Sequence, residues 1–279
     1  MLPTLDAYTP REIARRVEAL GVTKARSDTV SVLVLAVLAG AFIALGALFF
    51  IIVVTRPPES FGITRLVGGV AFSLGLILVV VGGAELFTGN NLVAMAWASR
   101  RITTVELPRN WGLVYAGNAL GAFGTVTLVL LGRVHQFANG AVGETVLTIG
   151  QHKAALGTVE ALALGILCNA LVCLAVWLAM GGRSVTDKIL AVVFPIAAFV
   201  TIGFEHSIAN LFFLPYALAL DGFGDPQLIL GALRNLAAVT VGNLLGGTIL
   251  VAGVYWLAYL RPGHPEVQAH DTASAPPRS

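Results

Sequence analysis

Six apolar stretches run along the chain, and two of them are too long to be single membrane crossings. Thr29–Val54 and residues 111–131, 154–180 and 236–260 each match one helical span, for which about 20 apolar residues suffice. Residues 67–98 and 189–220 each run for 32 residues. A continuous helix of that length would reach about 48 Å, against a hydrocarbon core of ~30 Å. Tilt does not absorb that excess, so each stretch must break. Glycines mark the places: Gly82 and Gly83 in the first, Gly203 in the second. The pattern predicts an all-α membrane protein of six transmembrane helices, with the second and fifth spans broken.

The breaks carry one motif twice. GAELFTGN at 83–90 and GFEHSIAN at 203–210 both read G-x-E-x-x-x-x-N, 120 positions apart. The third and sixth spans add a second matched pair, GNALG at 117–121 and GNLLG at 242–246, offset by 125. Span, broken span and span therefore occur twice, over about 29–131 and 154–260. An odd number of crossings per half makes this an inverted repeat. Small residues four apart in the third and sixth spans allow close helix approach. Irregular backbone and ionisable side chains at membrane depth are tolerated where they line a cavity or are buried in protein. A repeated pair of such breaks points to a pore or transporter.

Composition agrees. The chain is 57% hydrophobic and 11% charged, with a mean hydropathy of +0.85, against roughly 25% charged for a soluble domain. The net charge of +2 and the lack of a basic stripe argue against nucleic acid as a partner. Basic residues are unevenly spread, with twelve on the side of the termini and five on the other. By the positive-inside rule both termini are cytoplasmic in a multi-pass protein of the cell (inner or plasma) membrane. Trp97, Trp111, Trp177 and Trp256 fall near span ends, where interface anchors belong. Residues 1–28 form a polar N-terminal segment with Ile13, Val17 and Leu20 on one helical face. Such an amphipathic helix either lies on the membrane surface or packs beneath the bundle. The tail 261–279, rich in Pro, Ala, Ser and His, reads as disordered. Cys168 and Cys173 fall on different helix faces, so no disulfide joins them.

His206 is the sharpest candidate for chemistry. It follows Glu205 at the second break, near mid-membrane, and imidazole exchanges a proton near neutral pH. An uncompensated ion in low dielectric costs of order 20 kcal/mol in the idealised Born limit. Protonating a weak-acid anion at mid-pore removes most of that barrier. The plainer alternative is a structural histidine bonded to Glu205 or to a helix end. Glu85 and Glu205 occupy equivalent positions and suit the N-termini of the half-helices that follow. Asn90 and Asn210 are placed to bond freed backbone groups or each other across the pseudo-symmetry axis. Asn169, alone in an apolar span, either bridges helices or donates to an anion. Thr88 offers a hydroxyl at the first break. Leu76, Phe72 and Phe199 are candidates for apolar constrictions. Lys153, beside His152, is either a cation at an outer vestibule or an ordinary interfacial lysine.

The residues resemble the formate–nitrite transporters, or formate channels, over nearly the whole chain from 29 to 260. The signatures are GAELFTGN at 83–90, RNWGLVYAGNALGA at 109–122, ILCNALVCLAVWLAMGGRSVTDK at 166–188 and GFEHSIANLFFLP at 203–215. The resemblance implies an aquaporin-like fold in a homopentamer, with one pore per subunit. It also implies that His206 is the central pore histidine with Glu205 behind it, that Asn169 faces the pore, and that Lys153 is the vestibule lysine. Thr88 would be the loop threonine, with Leu86 and Phe87 beside it at the slit, and Leu76, Phe72 and Phe199 the apolar constrictions.

The expected function is passage of small monovalent weak-acid anions, formate or nitrite, with protons handled at His206 and no cofactor or metal. The alternative is a neutral-solute pore for water, glycerol or ammonia. However, the Asn-Pro-Ala pair of water channels is missing, and one deep histidine stands where ammonium channels have two. An intramembrane enzyme is further off, because neither H-E-x-x-H nor G-x-S-x-G occurs.

Overall fold

The computed structural model describes residues 7–56 and 60–262. Apart from Arg261 and Pro262, the tail expected to be disordered lies outside them.

Helix α1 (Pro10–Arg26) begins at a capping box in which Thr9 and Glu12 bond each other's backbone. Those hydrogen bonds, the Thr9 backbone N–H foremost, hold the Glu12 carboxyl below its ordinary value. Its apolar face buries Ile13, Ala14 and Val17 in a cluster with Leu92, Met95 and Trp177. Of the two positions open to it, α1 takes the one packed on the bundle.

Among the described residues six helices are long and apolar enough to cross a membrane: α2 (Thr29–Val54), α3 (Phe61–Gly82), α5 (Glu106–Leu131), α7 (Thr158–Gly181), α8 (Val185–Ile202) and α10 (Pro226–Leu245) with its continuation to Tyr259. Several begin outside their apolar stretch. Polar first turns, such as Glu106 to Asn110 of α5, extend the helix beyond the region that hydropathy marks.

Helix α3 ends at Gly82, and Gly83 takes the left-handed conformation at φ +79°. The N–H groups of Gly83 and Ala84 turn back to the Val79 carbonyl. Helix α8 ends the same way at Gly203, φ +96°, with Gly203 and Phe204 donating to Phe199. A glycine reaches this conformation without steric cost, which is why it terminates helices. After the first irregular stretch come a 3-10 turn (Gly89–Val93) and the short α4 (Ala94–Ala98). After the second comes a regular helix, α9 (Ser207–Leu220).

Helix α6 (Ala141–Ala155) has no counterpart among the apolar stretches. It is too short and too polar to register as a span, yet it buries Ala141, Val142, Val146 and Ala154. Two tryptophans also differ from the anchor role. Trp177 is buried and stacks on Tyr255 at 3.9 Å, and the Trp111 indole donates to the Asn90 carbonyl.

Helix α2 packs on α3 and α5, α7 packs on α8 and α10, and α3 against α8 joins the two sets. The close approaches run through the glycines of the G-N-x-L-G motifs. A Cβ on Gly121 would overlap the Val37 carbonyl, and one on Gly246 the Ile166 carbonyl. From Gly246 to Gly253 the last span passes through π geometry before α11 (Val254–Tyr259).

Gly246→Val should lower the thermal midpoint of the purified protein in detergent, because overpacking of this kind costs about 1–3 kcal/mol or more. Gly112→Ala, at a glycine with nothing within 4 Å of its Cβ position, should move it little.

Candidate functional site

Backbone left unpaired inside a membrane must find partners within the protein, and one asparagine serves each break. Asn118 Oδ1 accepts from the Phe87 N–H at 2.9 Å. Its Nδ2 donates to the carbonyls of Glu85 (2.9 Å) and Ala36 (2.7 Å). Asn243 repeats this set: Oδ1 accepts from Ser207 N–H (2.8 Å), and Nδ2 donates to Glu205 (3.0 Å) and Gly165 (2.8 Å). The Glu85 and Glu205 N–H groups complete the match, donating to Leu35 and Leu164.

Each glutamate side chain is held by a lysine from the extra helix of its half. Lys24 Nζ of α1 lies 2.8 Å from Glu85 Oε1, and Lys153 Nζ of α6 lies 2.7 Å from Glu205 Oε1. Asn90 Nδ2 donates to Glu85 Oε2 (2.6 Å) and Asn110 Oδ1 (3.0 Å), while Asn210 Nδ2 donates to Glu205 Oε2 (2.7 Å) and Asn235 Oδ1 (2.8 Å). Asn110 and Asn235 then bond the carbonyls of Lys24 and Lys153. The carboxylates therefore pin lysines and amides, and neither caps the helix that follows it.

Two cavities lie toward opposite ends of α3. The first, of about 230 Å³, is lined by Val17 and Lys24 of α1, Leu76 and Val79 of α3, and Glu85, Leu86 and Asn90. The second, of about 290 Å³, is lined by Arg65 and Phe72 of α3, Lys153, Phe199, Glu205, His206 and Asn210. Between them Leu76, Leu86, Phe72 and Phe199 are all buried. The rings of Phe72 and Phe199 meet edge to face at 5.6 Å, and His206 lies along Phe199 at 5.9 Å.

His206 caps α9. Its Nδ1 accepts the Ala209 N–H at 3.1 Å, and its Nε2 lies 2.9 Å from the Thr88 hydroxyl. A backbone N–H can only donate, so Nδ1 is unprotonated here and the ring proton sits on Nε2. The helix-end bond of the structural alternative is present, and the ring also borders the second cavity. Asn169 is committed elsewhere: its Nδ2 donates to the carbonyls of Thr88 (3.3 Å) and Asn243 (2.7 Å), leaving Oδ1 without a partner. Flipping the amide would set its oxygen against two carbonyls, so the amide bridges helices and offers no free donor to an anion. The Asn243 carbonyl, at the passage into π geometry, also accepts from Asn91 (3.2 Å). Phe87 packs edge to face on Tyr115, and Thr88, Asn169 and Phe87 border neither of the two cavities. Among the described residues no group of His, Cys, Asp and Glu is placed to hold a metal ion.

Lys24, Asn110, Asn118, Asn235 and Asn243 were not read as site residues from the sequence. Their signal is the repeat itself, carried further. Arg109-Asn110 and Arg234-Asn235 stand 125 apart, and Lys24 and Lys153 stand 129 apart. The Arg109 and Arg234 guanidiniums even reach equivalent carbonyls, Ala25 and Ala154.

A sequence model of the family described as Formate/nitrite transporter matches residues 11–257. The chain belongs to the formate/nitrite transporter family. It is therefore a multi-pass membrane protein. It is 42% identical over 273 residues to the formate channel FocA of Escherichia coli K12, covering 92% of this chain and 96% of that one. It is 41% identical over 252 residues to the uncharacterized transporter YrhG of Bacillus subtilis, covering 90% and 93%. Among solved structures, a pentameric formate channel with formate bound superposes with a TM-score of 0.77 at 40% identity, covering 84% of this chain and 98% of that one. A formate/nitrite transporter family ion channel superposes at 0.81 with 26% identity, covering 88% and 98%.

Lys153→Met alone strands the buried Glu205 carboxylate and should destabilise the protein by about 3–5 kcal/mol. Lys153→Met with Glu205→Gln should recover much of that loss, as read by thermal unfolding of the purified protein. Lys24→Met should cost less, because its pair with Glu85 is more exposed (20% and 12% against 13% and 4%).

Proposed function

We propose that the chain is a channel or transporter for small monovalent weak-acid anions, formate first and nitrite with it, through a pore joining the two cavities. The observation that carries the reading is the placement of His206. It is a titratable ring on the wall of the second cavity, beside the Phe72–Phe199 constriction, with its one N–H shared with Thr88. The similarity to a formate channel supports formate as the solute, and the family does not favour the neutral-solute alternative.

An anion reaching His206 competes with the Thr88 hydroxyl for the one ring N–H, at the point where apolar side chains close the path. The Nε2 proton can pass to the anion's oxygen only as Nδ1 gains a proton from the solution outside the second cavity, because loss of the proton alone would leave an imidazolate. Nδ1 is held by the Ala209 N–H, so proton uptake and release of this cap form one event. The protonated acid is neutral and crosses the apolar layer without the Born cost of the ion. One anion and one proton then travel together. Leu76 and Leu86 would form the constriction on the side of the first cavity.

The fold reading is an aquaporin-like inverted repeat with two broken spans. The duplicated hydrogen bonds of Asn118 and Asn243 support it, and the Lys24–Glu85 and Lys153–Glu205 pairs extend the halves from about 29–131 and 154–260 to 10–131 and 141–259, taking in α1 and α6. The excess of basic residues puts both termini in the cytoplasm and the second cavity outside. The pentameric neighbour supports a homopentamer, and exposed apolar residues of α5 and α10, such as Leu120, Leu128, Leu230 and Leu233, are available for lipid and for neighbouring subunits.

Formate and nitrite uptake into proteoliposomes, measured across pH steps, tests this. Wild-type uptake should rise with an inward proton gradient, and His206→Asn, which can still cap α9, should lose that dependence. Water or glycerol flux without anion flux would overturn the reading.

A further inference from the structure

The second cavity holds a cation that no ion pair cancels. Lys153 borders it, but its ammonium is bound to Glu205 at 2.7 Å, and the pair carries no net charge. Arg65, near the start of α3, borders the same cavity and is partly buried. Its Nε and Nη2 donate to the carbonyls of Thr201 (3.2 Å) and Val200 (2.7 Å) in the last turn of α8. Those carbonyls are dipoles, so they fix the guanidinium without neutralising it. Among the described residues no carboxylate lies within ion-pair distance of Arg65, and its Nη1 makes no hydrogen bond. The chain makes room for this placement at Gly203, where a Cβ would stand 3.0 Å from Nη2.

We propose that Arg65 is the outer recognition residue of the pore, binding planar two-oxygen monovalent anions of the formate type before they reach His206. The proposal rests on the anion-conducting reading above. Lys153 cannot take this part without leaving Glu205, which would strand a buried carboxylate. Arg65 is always charged, and its planar fork matches two oxygens of one anion. A cavity with low-dielectric walls focuses the field of that charge and raises the local anion concentration. The first cavity has no equivalent. The charged residues lining it are Lys24 and Glu85, which pair with each other. The position matching Arg65 in the second half, 120 residues on, is Val185. Recognition is therefore one-sided, and it favours formate and nitrite over anions with a single acceptor atom, such as hydrosulfide or chloride.

The test is formate uptake against concentration in vesicles of one orientation, for the wild type, Arg65→Gln and Arg65→Lys, at several ionic strengths. Arg65→Gln should raise KM from the Arg65 side about tenfold, the scale of a charge-assisted hydrogen bond. The effect should fall on KM more than on maximal flux, and leave KM from the opposite side near its starting value. Wild-type KM should rise with ionic strength, and Arg65→Gln should flatten that dependence. Arg65→Lys should keep the salt dependence but lose preference for formate over hydrosulfide. A wild-type KM indifferent to ionic strength overturns the proposal without any variant, should Arg65→Gln fail to assemble. Wild-type-like KM in Arg65→Gln with full formate flux overturns it too, leaving the anion reading standing. Absence of formate flux in the wild type sinks the anion reading itself.

Discussion

Two stretches of non-helical backbone, at 83–88 and 203–206, interrupt the apolar helices of this membrane protein, and the rest of the architecture follows from satisfying them. An unpaired peptide group in an apolar medium costs several kcal/mol. Asn118 and Asn243 each close three such debts with one short amide, accepting one N–H and donating to two carbonyls. Aspartate lacks the donor, and glutamine carries an extra methylene into a site already closed by helix contact. The small residues flanking each asparagine, Gly117 and Gly121 or Gly242 and Gly246, then bring α5 onto α2 and α10 onto α7, close enough for the amide to span both.

The lysine–glutamate pairs are a second layer on the same frame. Buried ion pairs are weak sources of stability, because desolvation offsets the Coulomb gain. Their effect here is positional. Lys24 and Asn90 converge on the Glu85 side chain, and Lys153, Asn210 and Asn235 on that of Glu205. Each pair ties a non-spanning helix, α1 or α6, to a break, and so sets the floor of a cavity.

Much of the frame was legible in the sequence because membrane crossing imposes length. The 32-residue apolar stretches could not be single helices, and the glycines fixed their ends to the residue. The Asn motifs exposed the duplication. What escaped was whatever hydropathy does not mark. Helix α6 is amphipathic and short, so nothing in its apolar content announced it. Lys24 looked like one basic residue among five in a cytoplasmic segment, since its partner lies 61 positions away. Asn169 was open between two roles because a sequence does not say which carbonyls an amide will meet. Arg65 counted only among the five basic residues on the side away from the termini, and its lack of an ion-pair partner among the described residues is a property of the folded chain.

The duplication also separates scaffold from chemistry. Residues that bond in the same way in both halves, the Lys, Glu and Asn of each network, hold the backbone. The residues at the centre are those that break the match. His206 stands where the first half has Leu86, and Thr88 where the second half has Ile208. Asn169 stands where the first half has Gly40, which lets α2 lie directly on the Asn118 carbonyl. In the second half the same carbonyl position, that of Asn243, is instead met by the Asn169 amide. A strictly repeated pore would have either two apolar centres, closed to an ion, or two histidines, each needing a cap and a partner. One His206–Thr88 pair across the two breaks gives a single polar contact between apolar layers. In the pore proposed above, it is the contact at which the proton is handed over.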